Sequence, residues 1–231
     1  MREIRKPDYE RVVPGMFLAA SAGGLDAYSY LLHGEVFAGM QTGNLILLGI
    51  NLGRGDFGKI GRYIFAIAMF MLGTIVVRLV QHKYDNIKQV SRPTFVLIYE
   101  MILLIVALIL TQKLSNLLIL AILSMAAAAQ MQEFRKIYNG PYTPMMMTGN
   151  LRTISEGLYD TLFIHKPAAW KKTKTFIIIL LSFLAGAVLN GLLVGYLGQN
   201  TIVISIIGLM VAIYTSHLHL PPQDDLYQKH K

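Results

Sequence analysis

The chain has 231 residues, of which 54% are hydrophobic and only 15% charged, a balance that excludes an ordinary soluble domain and points to one built into a bilayer. Its formal net charge of +8 would suggest a nucleic-acid partner in a soluble protein; here the lysines and arginines fall in short loops, where they hold the cytoplasmic side and meet anionic lipid, and no nucleic-acid partner is expected. Zero cysteines exclude disulfides and thiol chemistry, and the six histidines lack metal-site spacing, so neither metal nor other cofactor is expected.

Residues 1–11 carry charges of both signs and run into an apolar segment without a small-residue cleavage site, so no cleaved leader is expected. The first span is predicted over 14–32 and contains Asp26. Thr42-Gly43-Asn44 follows, opening a short apolar piece over 45–52 that ends at Gly53, Arg54 and Gly55. Spans are next predicted at 62–80, at 95–110 with Glu100 inside it, and at 117–133. A second signature, Thr148-Gly149-Asn150, opens another short piece over 151–162, interrupted by Arg152, Glu156 and Asp160. Two uncharged spans, 176–194 and 201–216, complete the set. A helix needs about 20 apolar residues to cross about 30 Å of hydrocarbon, so the two short pieces are half-helices. The expected fold is all-α: one polytopic membrane domain over 1–231, with six full spans and two re-entrant half-helices.

The two signatures lie 106 residues apart, which suggests duplication, with a first repeat over 14–110 and a second over 117–216. Each repeat reads span, half-helix, span, span. The segment 162–174 carries Lys166, Lys171, Lys172 and Lys174 with no acid and is assigned to the cytoplasm. The uncharged turn at 198–200 and the turn at 111–116, with Lys113 alone, fall outside. The 82–93 loop with Lys83, Lys88 and Arg92 against Asp85, the N-terminus with Arg2, Arg5, Lys6 and Arg11, and the C-terminus fall inside. Three spans per half then place the halves in opposite orientations, as an inverted repeat. If both short pieces crossed fully, the count would be eight and the halves parallel; Arg54 and Lys59 would then lie inside.

Thr42 or Asn44, and likewise Thr148 or Asn150, can cap the free amides of a helix start, while Gly43 and Gly149 let the chain bend and approach closely. Helix starts within the membrane favour an anion or polar solute. The plainer role is structural, with the asparagines capping and tying the two half-helices together. Met145, Met146 and Met147 supply an adaptable apolar wall, and Pro141 and Pro144 break the approach to the second signature. Asp26 and Glu100 are costly against lipid and should face the interior, be protonated or pair with a base, with Arg78, Arg135 and Arg152 as candidates. Gln130 and Gln132 answer to Asp26 in the second half, since 26 plus 106 is 132. A carboxylate facing a glutamine could set charge or carry a coupling proton, or act as a lock. Small residues at Ala19/Gly23, Gly39/Gly43, Gly49/Gly53 and Gly191/Gly195 suggest close helix crossings, one aided by Asn190. Tyr28 and Tyr30 suit either a pore lining or an interface, and His217 and His219 end the last span.

The run Gly23-Gly24-Leu25-Asp26-Ala27-Tyr28-Ser29-Tyr30-Leu31, with Gly34, Phe37, Thr42-Gly43-Asn44-Leu45 and Met147-Thr148-Gly149-Asn150-Leu151, resembles the YoaK-like family of bacterial integral membrane proteins of unknown function. Gln41 and the stretch Gln130-Met131-Gln132-Glu133-Phe134 depart from the family pattern. The resemblance implies a multi-span protein of the bacterial cytoplasmic membrane and no particular activity. The residues themselves favour a transporter or channel for a small polar or anionic solute, sited between the two Thr-Gly-Asn helix starts. The alternatives are a structural or assembly protein and, with no catalytic constellation to support it, an intramembrane enzyme. The expected partners are the lipid bilayer and a small solute, and a homo-oligomer is compatible with this composition.

Overall fold

The computed structural model describes residues 8–83, 91–137 and 140–218. Within them lie α1 (Val12–Leu32), α2 (Gln41–Arg54), α3 (Phe57–Lys83), α4 (Arg92–Leu110), α5 (Asn116–Glu133), β1 (Lys136–Ile137), β2 (Gly140–Pro141), α6 (Met147–Leu162), α7 (Pro167–Leu197) and α8 (Ile202–His217). The protein is an all-α, largely apolar bundle of a polytopic membrane protein. Helices extend beyond the apolar runs: α3 begins at Phe57 and α7 at Pro167, because polar residues continue a helix that hydrocarbon no longer requires. The antiparallel β1–β2 pair was not anticipated. Arg2, Arg5, Lys6, Asp85, Lys88 and His219 lie outside the described residues.

Among the described residues four stretches are long and apolar enough to cross a membrane, Phe57–Lys83, Arg92–Leu110, Asn116–Glu133 and Pro167–His217, the last comprising α7 and α8. The expected six counted α7 and α8 separately and included α1, whose 21 residues carry Asp26, serines and glycines. Such residues are tolerated because α1 is surrounded: it packs on α7 and α8 and touches α5. Leu181, Leu184 and Leu192 of α7, Ile75 and Leu79 of α3 and Ile102 and Ile109 of α4 are exposed instead, which forms the lipid-facing surface.

Helix directions follow from contacts. Ser21 Oγ donates to the Ser205 carbonyl and Ser205 Oγ to the Ser21 carbonyl, both at 3.0 Å, and Asp8 N donates to the Ser216 carbonyl at 3.0 Å, so α1 and α8 run antiparallel. Gln130 Nε2, near the end of α5, donates to the Leu18 carbonyl, near the start of α1, at 2.9 Å, while His33 after α1 lies beside Asn116 at the start of α5. The inner helices α1 and α5 are therefore antiparallel too. Each packs chiefly on two helices: α1 on α7 and α8, α5 on α3 and α4.

Glycines set the closest crossings. A Cβ on Gly186 would overlap the Ala20 carbonyl, one on Gly23 the Phe183 carbonyl, and one on Gly73 would stand 2.8 Å from Met125 Cα. By contrast nothing among the described residues lies within 4 Å of where a Cβ would stand on Gly49, Gly53, Gly191 or Gly195. Those spacings mark no crossing among the described residues: helical spacing puts glycines on one face, but not necessarily on a face that meets a neighbour. Asn190 bonds within its own helix, Nδ2 to the Gly186 carbonyl at 3.4 Å, rather than across the crossing.

Candidate functional site

The chain between α1 and α2 turns back into the bundle. Asp26 lies six residues before the end of α1, about 9 Å along its axis. Its Oδ1 accepts from the amides of Gly39 at 2.6 Å and Met40 at 3.3 Å. Helix α2 therefore starts at the depth of Asp26. It ends near the start of α3, where Arg62 donates to the Gly34 carbonyl at 2.6 Å and ties that end to the close of α1. The approach to α6 comes from the other end, where Tyr142 donates to the Gly15 carbonyl at 2.9 Å. It reaches the same level, since Met145 Sδ stands 3.0 Å from where a Cβ on Gly39 would be. Helix α6 then returns along α7 with Gly157 against Thr173 and Ala169. At 14 and 16 residues, α2 and α6 are about 21 and 24 Å long, short of the 30 Å hydrocarbon thickness.

The two approaches carry matching bonds. Asn44 Oδ1 accepts from the Phe37 amide at 2.9 Å, and its Nδ2 donates to the Phe37 carbonyl at 2.8 Å and to Gln41 Oε1 at 2.9 Å. Asn150 Nδ2 donates to the Thr143 carbonyl at 3.3 Å and to Met147 Sδ at 3.5 Å. In both copies the partners stand seven and three residues earlier, and Gly39 and Met145, which meet, are themselves 106 apart. The caps expected of the signatures are absent: the helices start one residue or more before Thr42 and Thr148, after Met40 and Met146, without a side-chain cap bond. The asparagines brace the preceding loop instead, because their buried amides reach loop backbone that no helix satisfies. Thr42, Thr148 and Gly149 are exposed, and Gly43 is covered by Met40 and Phe37. Asn44→Ala, which leaves both backbone groups of Phe37 unpaired, should lower thermal stability more than Asn150→Ala, by about 1–3 kcal/mol against about 1; equal losses in melting experiments would refute the difference in bracing.

Asp26 Oδ2 and both oxygens of Glu100 are buried and have no hydrogen-bond partner among the described residues. The expected basic partners are elsewhere. Arg152 pairs with Glu156 at 2.8 Å, Arg78 donates to Gln81 at 3.3 Å and Arg135 to Gln132 at 2.5 Å. Gln132 does not face Asp26: it lies where α3 and α5 end, with Nε2 on Gln81 Oε1 at 3.0 Å. Gln130 Nε2 is bonded to the Leu18 carbonyl, while its Oε1 is buried with no partner among the described residues. The acids were legible in the sequence but the main-chain donors to Asp26 were not, although a carboxylate 15 residues ahead of a helix start is the available signal. Met145 is buried against Gly39, whereas Met146 is 54% exposed, so only the first methionine belongs to the junction. Tyr28 packs on His33 with centroids 5.1 Å apart and Tyr30 stacks on Phe37 at 4.7 Å.

A family model described as "Protein of unknown function (DUF1275)" matches residues 15–215. The chain is also similar to the UPF0700 transmembrane protein YoaK of Bacillus subtilis (strain 168), 26% identical over 163 residues, which cover 69% of this chain and 70% of that one. No solved structure matches. The match takes in α1, both signatures and the junction between them, and the chain belongs to the DUF1275 family of bacterial membrane proteins.

Proposed function

We propose that the protein is a transporter or channel for a small polar solute, built from two halves, 14–110 and 117–216, arranged as an inverted repeat of six full spans and two re-entrant half-helices. The observation that carries this reading is the junction itself: two short helices approach from opposite ends of the bundle and meet at Gly39 and Met145, with the unpartnered Oδ2 of Asp26 beside them. The matching asparagine bonds, the antiparallel inner helices and the parallel roles of α7 on α1 and α3 on α5 support the repeat.

Of the two solute classes, a polar solute or proton fits better than an anion. Asp26 already supplies a carboxylate to the amides leading into α2, so a second anion there would meet a like charge. Thr42, Gly43, Asn44 and their counterparts Thr148, Gly149 and Asn150 form the two rims of the path, held in shape by the asparagine braces. Asp26 sets its charge or takes a coupling proton, with Glu100 a second reserve in α4. With Gly39 on Met145 the path is shut, and opening requires one half to move against the other. The basic end, with Lys166, Lys172 and Arg135, is placed in the cytoplasm together with both termini. A structural or assembly role has its own support in the engagement of both asparagines with backbone.

A thermal-stability panel of small polar metabolites and anions at two pH values separates these readings. At a hundredfold excess over its dissociation constant, a bound solute adds about 2.7 kcal/mol of stability. The expected result is a solute that stabilises the parent protein and fails to stabilise a folded Asp26→Asn variant. Uniform silence from well-folded protein would favour the structural role.

A further inference from the structure

Where α3 and α5 end and α4 begins, the bundle leaves a cavity of about 350 Å³, remote from both signatures. Among the described residues its wall holds four cations, Arg78, Arg92, Arg135 and Lys136, against two carboxylates, Glu10 and Glu133. The Glu133 side chain is 1% exposed and its charge is consumed: Oε1 receives Arg92 Nε at 3.0 Å and Oε2 receives Gln81 Nε2 at 2.8 Å. Arg78 and Arg135 are bonded to the neutral amides of Gln81 and Gln132, which orient a guanidinium without neutralising it, and neither has a carboxylate partner among the described residues. The two glutamines are themselves joined at 3.0 Å, so the guanidinium pair is mounted on one bonded frame that links α3 to α5. The floor is apolar, with Tyr9 against Phe134 at 5.5 Å, and Tyr9 is fixed by its bond to Thr94 at 2.7 Å.

We propose that this cavity is a binding site for a phosphate group, carried by an anionic phospholipid or by a soluble phosphate ester. The forked donors of Arg78 and Arg135 match phosphate oxygens, and a cavity with surplus positive charge at a helix-bundle end is where a headgroup would reach. The groove between α6 and α7 at the same end holds Lys166 and Lys172 beside Asp160, with Glu156 paired to Arg152 and, among the described residues, no arginine in its wall, which makes it a control for diffuse attraction.

The test uses the full chain in detergent micelles, with ionic strength held constant. Thermal stability is titrated with phosphatidylglycerol, with phosphatidylcholine, with glycerol 3-phosphate and with inorganic phosphate. The parent is compared with Arg78→Gln/Arg135→Gln and with Lys166→Gln/Lys172→Gln, each checked for a parent-like elution profile. If the arginine pair does not fold, Lys136→Gln replaces it. The proposal expects saturable stabilisation by phosphatidylglycerol or by a soluble phosphate, but not by phosphatidylcholine. The arginine pair should raise the half-saturating concentration on the order of tenfold, with the lysine pair unchanged. Phosphatidylglycerol alone would identify a headgroup site, and response to glycerol 3-phosphate or inorganic phosphate would identify a site open to soluble phosphates. No stabilisation by any phosphate, or equal weakening by both variant pairs, would overturn it.

Discussion

Gly186→Leu is expected to abolish accumulation of folded protein. The substituted Cβ would overlap the Ala20 carbonyl of α1, and both partners are backbone within helices, so neither can turn aside. Overpacking a core usually costs about 1–3 kcal/mol through side-chain adjustment; a backbone collision at the α1–α7 crossing exceeds that range because the inner helix must separate from its principal neighbour. Gly191→Leu one turn further along meets nothing among the described residues within 4 Å and should accumulate and melt like the parent. The comparison is read by detergent-solubilised yield, monodispersity and melting temperature. Equal tolerance at the two glycines would contradict the crossing.

The second large effect is at Asp26. Asp26→Ala removes the acceptor for the buried Gly39 amide and the part-buried Met40 amide, and leaving them unpaired costs about 1–4 kcal/mol together. Asp26→Asn keeps an acceptor oxygen and should recover most of that loss. The pair divides lock from function: a lock is restored by asparagine in every assay, whereas a carboxylate that sets charge or carries a proton is restored in stability only. A solute response surviving in Asp26→Asn would remove Asp26 from the permeation mechanism.

The helices were legible because hydrocarbon imposes a length and a composition, and every expected span has a helix over it. The composition rule fails at α1, which is shielded by other helices and does not answer to lipid. The signatures were legible as a repeated pattern, but their mechanics were not. A cap is a local bond and can be expected from spacing, whereas the amide of Asn44 reaches across a loop to Phe37, a partner fixed only when the loop folds back. Asp26 was legible as costly and therefore significant, yet its partners are main-chain amides, which carry no residue signature. Arginines were expected to neutralise the buried acids because opposite charges attract; Arg78 and Arg135 sit instead at the bundle end, bonded to Gln81 and Gln132, and Arg152 pairs with Glu156 on α6. Glycine spacing misled at Gly191 and Gly195, while Gly73 makes a close crossing with no small residue four positions away, and Gly186 does so with Ser182 as its small partner.

The opposed insertion of the two half-helices is the claim on which the transport proposal depends, and the absence of native cysteine makes it directly accessible. Gly58→Cys, just past α2, and Phe163→Cys, just past α6, would each carry the only thiol of the chain. Intact cells are treated with a membrane-impermeant maleimide, then permeabilised and treated again. The inverted arrangement predicts labelling of Gly58→Cys from outside and of Phe163→Cys only after permeabilisation. Both thiols responding from the same side would contradict it and make the halves parallel.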